Sequence, residues 1–391
     1  MKIAHISDIH VRNYKYHYEY KKVFQQLFDK LEELKPDIIV NTGDTAHTKC
    51  NLSPEYFNLT SWLFTSLAKV APLHMILGNH DCNVKNSSRL DAVSPLVEAL
   101  EDPNIHFHKY TKEVDVGNGI VLNVLSILDQ DKWAAPTNPS KTNIALYHGA
   151  VAGSKTDTGW VMEHGEIDLD FLGKFDYGLL GDIHKTNQTI DDGGKARYPG
   201  SLIQQNFGES MDKGFLLWDI KDKDNFTCDF HQLKNPKPFV TINLTPKGKI
   251  PRATKPPEGA RLRLVSSDNQ SIEIFRKAVD VAKTRFKPES ISFLNRAQRD
   301  GRISVDKEVD SIIHENLRNQ SVQEKLIAEY LKEYNVDEKT LNEVYSLNAK
   351  YNTLAESDED TTRNVSWKIK SFKWDNLFNY GEGNELDFTK L

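Results

Sequence analysis

Cysteine is scarce. The chain has three, Cys50, Cys82 and Cys228, scattered without the spacing of a disulfide framework or a thiolate zinc site. That excludes a stapled fold and points to a reducing cytoplasm. No apolar run reaches the roughly 18 residues that cross a bilayer, so no membrane partner is expected. The N-terminus enters an apolar strand with no basic stretch or cleavage site before it. Internal repeats and low-complexity tracts are also missing. No G-x-x-x-x-G-K-[S/T] motif occurs, so this chain is not expected to hydrolyse ATP.

What is present is a chain of 391 residues, long enough for two or three units. Its net charge of −6 is unevenly spread. Residues 232–302 hold 16 Lys/Arg against 6 Asp/Glu, whereas residues 303–391 hold 11 against 18. An acidic first unit suits a carboxylate metal site, and a basic block beside it suits a polyanionic substrate.

Leu77-Gly78-Asn79-His80-Asp81 organises the first unit. An apolar run, Leu73 to Leu77, ends abruptly in a glycine and three polar residues that can hold a metal or move a proton. The layout recurs at Ile3–His10 with Asp8-x-His10, at Ile38–Asp44, at Ile144–His148 and at Tyr177–His184. In open α/β sheets the ends of such strands are where ligands bind. Helical spacing over Tyr20–Leu34, Pro54–Val70 and Arg89–Leu100 alternates with the early strands, which predicts parallel pairing through crossover helices. From Ile105 the strands shorten, and a second, more antiparallel sheet is expected, closed by a meander over Gly214–Ile220 and Phe226–Leu233.

Asp8-x-His10, Gly43-Asp44, Gly78-Asn79-His80-Asp81, His148 and Gly181-Asp182-x-His184 offer carboxylate, imidazole and amide donors without thiolate. That set favours Mn, Fe or Zn over Ca or a structural zinc. Carboxylates this close would repel one another without a cation. Two metals sharing one carboxylate would activate a water and stabilise charge on a phosphate, and Asp44, on a central strand, is the natural bridge.

The order D-x-H, G-D, G-N-H-D, H, G-x-x-H resembles the calcineurin-like metallophosphoesterases. Gly43-Asp44-Thr45-Ala46-His47, Phe175-Asp176-Tyr177, His184-Lys185, Tyr198-Pro199-Gly200-Ser201 and Lys213-Gly214-Phe215 resemble the SbcD family more closely, the nuclease subunits of double-strand-break repair complexes. The resemblance implies an α/β fold: a two-sheet metallophosphoesterase sandwich flanked by helices, then a small α+β capping domain and a helical tail. It implies two divalent metal ions, Mn²⁺ foremost, with Asp8, His10, Asp44 and His184 on the first and Asp44, Asn79, His148 and Asp182 on the second. His80 would act at the leaving oxygen with Asp81 orienting it, and His47 would touch the scissile phosphate. Cellular members carry Gly-His-x-His where this chain has Gly181-Asp182-Ile183-His184; the aspartate is read as a more anionic ligand and as a mark of phage members, which would place the protein in a bacterial host's cytoplasm.

The expected organisation is a nuclease domain at 1–233, a basic DNA-binding capping domain at 234–302, a helical partner-binding segment at 303–355, and at 356–391 an acidic linker and strand hairpin. In the capping domain, Lys247, Lys249, Arg252 and Lys255 sit among prolines and would contact DNA phosphates. The hairpin resembles the opening of an SbcC-type coiled-coil ATPase, so the partner is expected to be such an ATPase, fused here or separate; a terminal hairpin of the nuclease itself is the alternative. A homodimer is implied, through Tyr56–Phe64 or Leu90–Leu100. The function expected is Mn-dependent exonuclease and endonuclease action on DNA ends. A phosphomonoesterase on the same scaffold, or a catalytically weak scaffold subunit, are the rivals.

Overall fold

Lys2–Ile6 (β1) lies in the middle of a six-stranded sheet, with Ile38–Asn41 (β2), Leu73–Ile76 (β3) and Ile105–His108 (β4) following in parallel on one side. A second six-stranded sheet contains Lys112–Gly117 (β5), Ile120–Leu125 (β6), Thr142–His148 (β7), Tyr177–Gly181 (β8), Gln188–Thr189 (β9) and Ala196–Tyr198 (β10). On the other side of β1, the first sheet is completed by Lys213–Ile220 (β11) and Phe226–Leu233 (β12), both antiparallel to their neighbours. The computed structural model describes residues 1–50, 52–268, 270–295, 320–332, 336–357, 370–375 and 382–387.

The inner strands of the sandwich, among them β1, β2, β3, β6, β7 and β8, bury both faces, which explains their nearly unbroken apolar sequences. In β1, Ala4 and Ile6 face the helices His17–Leu34 (α1) and Pro54–Val70 (α2), meeting Phe24, Leu27, Leu63 and Leu67. Ile3 faces the other sheet, with Val40, Leu122, Ile144, Leu179 and Trp218. Burying one Leu or Ile at these layers contributes about 2 kcal/mol. The helices start where the chemistry allows: Ser53 caps α2, its hydroxyl accepting from Tyr56 N at 3.3 Å, with Pro54 in the first turn.

Three expectations change. β4 joins the first sheet, in register with β3 from Leu73↔Ile105 to Ile76↔His108. The second sheet is largely parallel, through β6–β7, β7–β8 and β8–β10. The helix expected over Arg89–Leu100 begins only at Ser94 (α3, Ser94–Leu100), because Asp91 Oδ1 accepts the amides of Val93 and Ser94 and fixes a turn before it. The short segment Leu169–Leu172 (α4) precedes β8.

Past the sandwich, Phe239–Asn243 (β13), Arg261–Ser266 (β14) and Ser290–Asn295 (β15) form a three-stranded parallel sheet with the helix Ile272–Phe286 (α5). Parallel pairing requires crossovers, and α5 provides one of them. Phe275, Ala278 and Ala282 of α5 pack on Leu262 and Leu264. This small sheet belongs to the same compact unit as the sandwich, residues 1–302. Arg261 pairs with Glu19 of α1, and Gln204 exchanges two hydrogen bonds with the Phe239 backbone, at 2.8 and 2.9 Å.

A second unit spans residues 303–391. Its described parts are the helices Gln320–Lys332 (α6) and Glu338–Ser357 (α7), joined by Asn352 Nδ2 donating to Gln323 Oε1 at 2.6 Å, and an antiparallel pair, Ser371–Trp374 (β16) with Asn384–Asp387 (β17). The helix expected around Val309, Ile312 and Ile313, most of the acidic spacer and Gly381 lie outside the described residues. Among the described residues no helix is long and apolar enough to cross a membrane.

Candidate metal centre

Five strands of the two sheets end at one edge, and each delivers a ligand type there. β1 runs out into Asp8 and His10, β2 into Asp44, β3 into Asn79 and His80, β7 into His148 and β8 into Asp182 and His184. Past their ends, β1 and β2 stay tied by backbone bonds, Asp8 N to Gly43 O at 3.1 Å and His10 N to Asp44 O at 2.9 Å. Asp8, His10, Asp44 and Asp182 all have positive φ, from 48° to 91°. L-residues rarely hold that conformation, and it concentrates at sites where the fold enforces it.

Glycines make the close approach possible. A Cβ on Gly78 would stand 2.1 Å from Asp44 Oδ1, and one on Gly43 would stand 2.7 Å from His148 Nδ1. No side chain fits at either position.

The groups converge as two overlapping sets, Asp8 with His10 and His184, and Asp8 with Asp44 and His148. His10 Nε2 is 3.0 Å from His184 Nε2 and 3.4 Å from Asp44 Oδ2. His148 Nε2 is 3.4 Å from Asp44 Oδ1 and 3.8 Å from Asp182 Oδ1. His148 Nδ1 donates to the Thr42 carbonyl at 2.7 Å, which fixes the tautomer and leaves Nε2 buried with no hydrogen-bond partner. A buried, unpartnered imidazole nitrogen facing two carboxylates fits a divalent cation, as do two imidazole nitrogens meeting at hydrogen-bond distance. Asp8, His10 and His184, and Asp8, Asp44 and His148, are the groups placed to hold such a cation, with Asp182 beside the second.

Electrostatics agree. Burial raises the Asp8 carboxyl and lowers the His10 imidazole to about 3. Burial would raise Asp44 too, but His148, His10 and the His80 amide outweigh it and hold Asp44 below its usual range. Burial likewise opposes charge on His148, yet Asp44, Asp8 and Asp182 lift it well above the ordinary histidine value. Without a metal this pocket draws in protons to offset its carboxylates, so metal binding releases them.

Sequence reasoning missed the support behind His184. Its Nδ1 donates to Glu209 Oε1 at 2.8 Å. Glu209 Oε2 in turn lies 3.3 Å from the Nζ of Lys213, which is 1% exposed and also donates to Asp157 Oδ2 at 3.0 Å and to the His184 carbonyl at 2.7 Å. Burial alone would raise the Glu209 carboxyl, but His184 and Lys213 hold it down to about 2. The Lys213-Gly214-Phe215 motif was the available signal, since a lysine opening an apolar strand must find a carboxylate inside.

His80 stands at the rim. Its Nδ1 donates to the carbonyl of His47 at 2.8 Å, and its ring meets His10 edge-on at 4.8 Å between centroids. His47, His80 and His10 form a third close group. Asp81 does not contact His80 in the orienting role expected of it. It is fully buried, and its carboxylate accepts the amides of Ala46 at 2.8 Å, Gly78 at 3.0 Å and Thr45 at 3.2 Å. It ties the β2 loop to the β3 loop, and burial raises its carboxyl to about 7. Asn79 lines a cleft of about 360 Å³ with His148, Asp182, Met162, His164 and Glu166. Lys247, Lys249, Arg252 and Lys255 are all exposed; Arg285 of α5 pins their loop by donating to the carbonyls of Arg252 at 2.7 Å and Thr254 at 3.2 Å.

Comparison with known proteins agrees with this geometry. Residues 1–186 match the calcineurin-like phosphoesterase family, so the chain carries a calcineurin-like metallophosphoesterase domain. It is 30% identical over 410 residues to an uncharacterized protein of Acanthamoeba polyphaga mimivirus, covering 99% of this chain but 29% of that protein. It is 24% identical over 268 residues to a putative phosphoesterase of Invertebrate iridescent virus 6, covering 63% of this chain and 88% of the relative. It is 23% identical over 384 residues to the DNA double-strand break repair protein Mre11 of Methanococcus maripaludis, covering 92% and 97%.

Proposed function

We propose that the chain is a metal-dependent phosphodiesterase that cuts DNA, with Mn²⁺ as its metal. The observation that carries the hydrolytic part is the convergence of Asp8, His10, Asp44, His148 and His184 at one sheet edge around an unpartnered His148 Nε2. Similarity over nearly the whole length of an archaeal break-repair protein supports DNA as substrate. So do the exposed lysines and arginine of the 246–257 loop, because phosphate contacts need such cations.

Divalent ions at such a site supply Lewis acidity and a nucleophile at neutral pH. The chain's own residues do the rest. Asp44 lies within 3.4 Å of both His10 and His148, so one carboxylate ties the two ligand sets together. His80 is held through Nδ1–H by the His47 carbonyl, and its imidazolium form would give the Nε2 proton to a departing oxygen. His47 and His10, packed beside it, narrow the place a phosphate can occupy.

For partners, we propose a coiled-coil ATPase of the SbcC type and a second copy of this chain. The β16–β17 pair supports the first, since it provides the opening hairpin that such an ATPase begins with. The chain spans less than a third of its mimivirus relative, which leaves room for further domains in that protein.

The deciding experiment is degradation of linear duplex DNA with Mn²⁺, run beside hydrolysis of 4-nitrophenyl phosphate. Metal-dependent DNA loss with little monoester turnover supports the proposal. Rapid monoester hydrolysis with intact DNA moves the site to the phosphomonoesterases.

A further inference from the structure

Between Gly153 and Met162 the chain leaves the second sheet as a narrow hairpin. Gly153 N bonds Met162 O and Met162 N bonds Ser154 O, each at 2.8 Å, and Thr156 N bonds Trp160 O at 2.9 Å. The hairpin has no apolar core of its own, yet it is held at two points. Gln188 brackets Lys155, accepting from its amide at 2.7 Å and donating to its carbonyl at 2.9 Å. Asp157, at the tip, pairs with the buried Lys213 that also braces the His184 support. Such a paired, buried lysine is a costly way to place a surface loop unless the loop's position matters.

What the loop positions is Trp160, which is 62% exposed, with Val161 40% exposed beside it. Two residues further on, Met162 already lines the metal cleft with Asn79, His148 and Asp182. At about 3.3 Å per residue, the backbone of Trp160 lies within about 7 Å of that of Met162. A tryptophan left uncovered on a braced hairpin adds little to the core. It presents an exposed flat π surface two residues from the cleft lining, and every base can stack on such a surface.

We infer that the Gly153–Met162 hairpin is a nucleobase-contacting arm of the active site, with Trp160 as its stacking face and Asp157–Lys213 as its anchor. The inference rests on the DNA phosphodiesterase reading and assigns to it a substrate form, a strand whose bases are unpaired next to the scissile bond.

The test uses the full chain with Mn²⁺ and two single strands of equal length, oligothymidine and a strand of abasic tetrahydrofuran residues. Trp160→Ala should raise KM for oligothymidine about tenfold, leave the abasic strand within about twofold, and leave Mn²⁺ affinity unchanged. Trp160→Phe should recover most of the loss. Equal KM changes on both strands, or no change on either, overturn the stacking role while the wild type still cuts DNA. A wild type that cuts neither strand yet hydrolyses 4-nitrophenyl phosphate brings down the DNA reading itself.

Discussion

Arg261 closes on Glu19 through two bonds, Nη1 to Oε2 at 2.8 Å and Nη2 to Oε1 at 2.5 Å, with Arg261 9% and Glu19 3% exposed. The guanidinium lies 5.1 Å from the Tyr16 ring centroid and 5.0 Å from that of Phe239. A residue of the small sheet is thereby fixed to the helix that follows β1. Removing one partner strands a buried charge. Arg261→Met should cost about 3 kcal/mol in urea unfolding. The double variant with Glu19→Gln should lose less than the two single variants together; strict additivity would mean the pair contributes nothing.

The Glu209 support behind His184 is expected to tune metal binding at that residue. Glu209→Gln keeps the shape but replaces the charged acceptor of the His184 Nδ1 proton. Mn²⁺ affinity should fall about 10- to 100-fold by calorimetry, with the fold intact by circular dichroism. Affinity equal to wild type would show that His184 needs no such partner.

Ligands and proton donor separate by variant. Asp44→Ala and His148→Ala should lose bound metal and nearly all turnover. His80→Ala should keep the metal stoichiometry and lose turnover about 100-fold or more. Metal lost from His80→Ala would instead make the His10–His47–His80 group a ligand set.

Acid should loosen the sandwich at a histidine cluster shared by β3 and β4. His74 Nδ1 and His108 Nε2 are 3.0 Å apart on neighbouring strands, with His106 stacked on His74 at 4.7 Å. Burial lowers His74 to about 4 and His108 to about 3. Unfolded histidines titrate near 6.5, at roughly their free value, so below that pH the unfolded chain binds protons that the fold refuses. The contribution of these two histidines is full above pH 6.5 and declines as pH falls toward 4, by on the order of 3 kcal/mol for His74. His74→Gln should flatten that decline in urea titrations taken at stepped pH. An unchanged slope would assign the acid sensitivity to other groups.

The convergence of these groups was legible because each follows directly on an apolar strand, and chance does not repeat that five times. Sheet membership was not. Ile105–His108 is four residues long, and a strand that short carries no mark of which neighbour it will pair with. Nor did sequence show that Asp8, His10, Asp44 and Asp182 take left-handed backbone, since none is glycine. Asp81 was read as an orienting partner because it adjoins His80, yet its fully buried carboxylate is spent on three backbone amides. Glu209 sits in a loop without periodicity, and only the burial of Lys213 reveals it.

The central position of β1 has a consequence for synthesis. Its antiparallel partner, in register from Lys2↔Asp219 to His5↔Leu216, emerges from the ribosome more than 200 residues after it. Folding of the first sheet is therefore governed by one of the longest sequence separations in the chain, which makes it slow relative to local helix formation. His184 and its Glu209–Lys213 brace arrive on the same late stretch. A nascent chain stalled before residue 213 holds Asp8, His10 and Asp44 without the strand that frames them. The site's assembly is thus timed to the completion of the sandwich, and an unfinished chain holds these residues without their full set of neighbours.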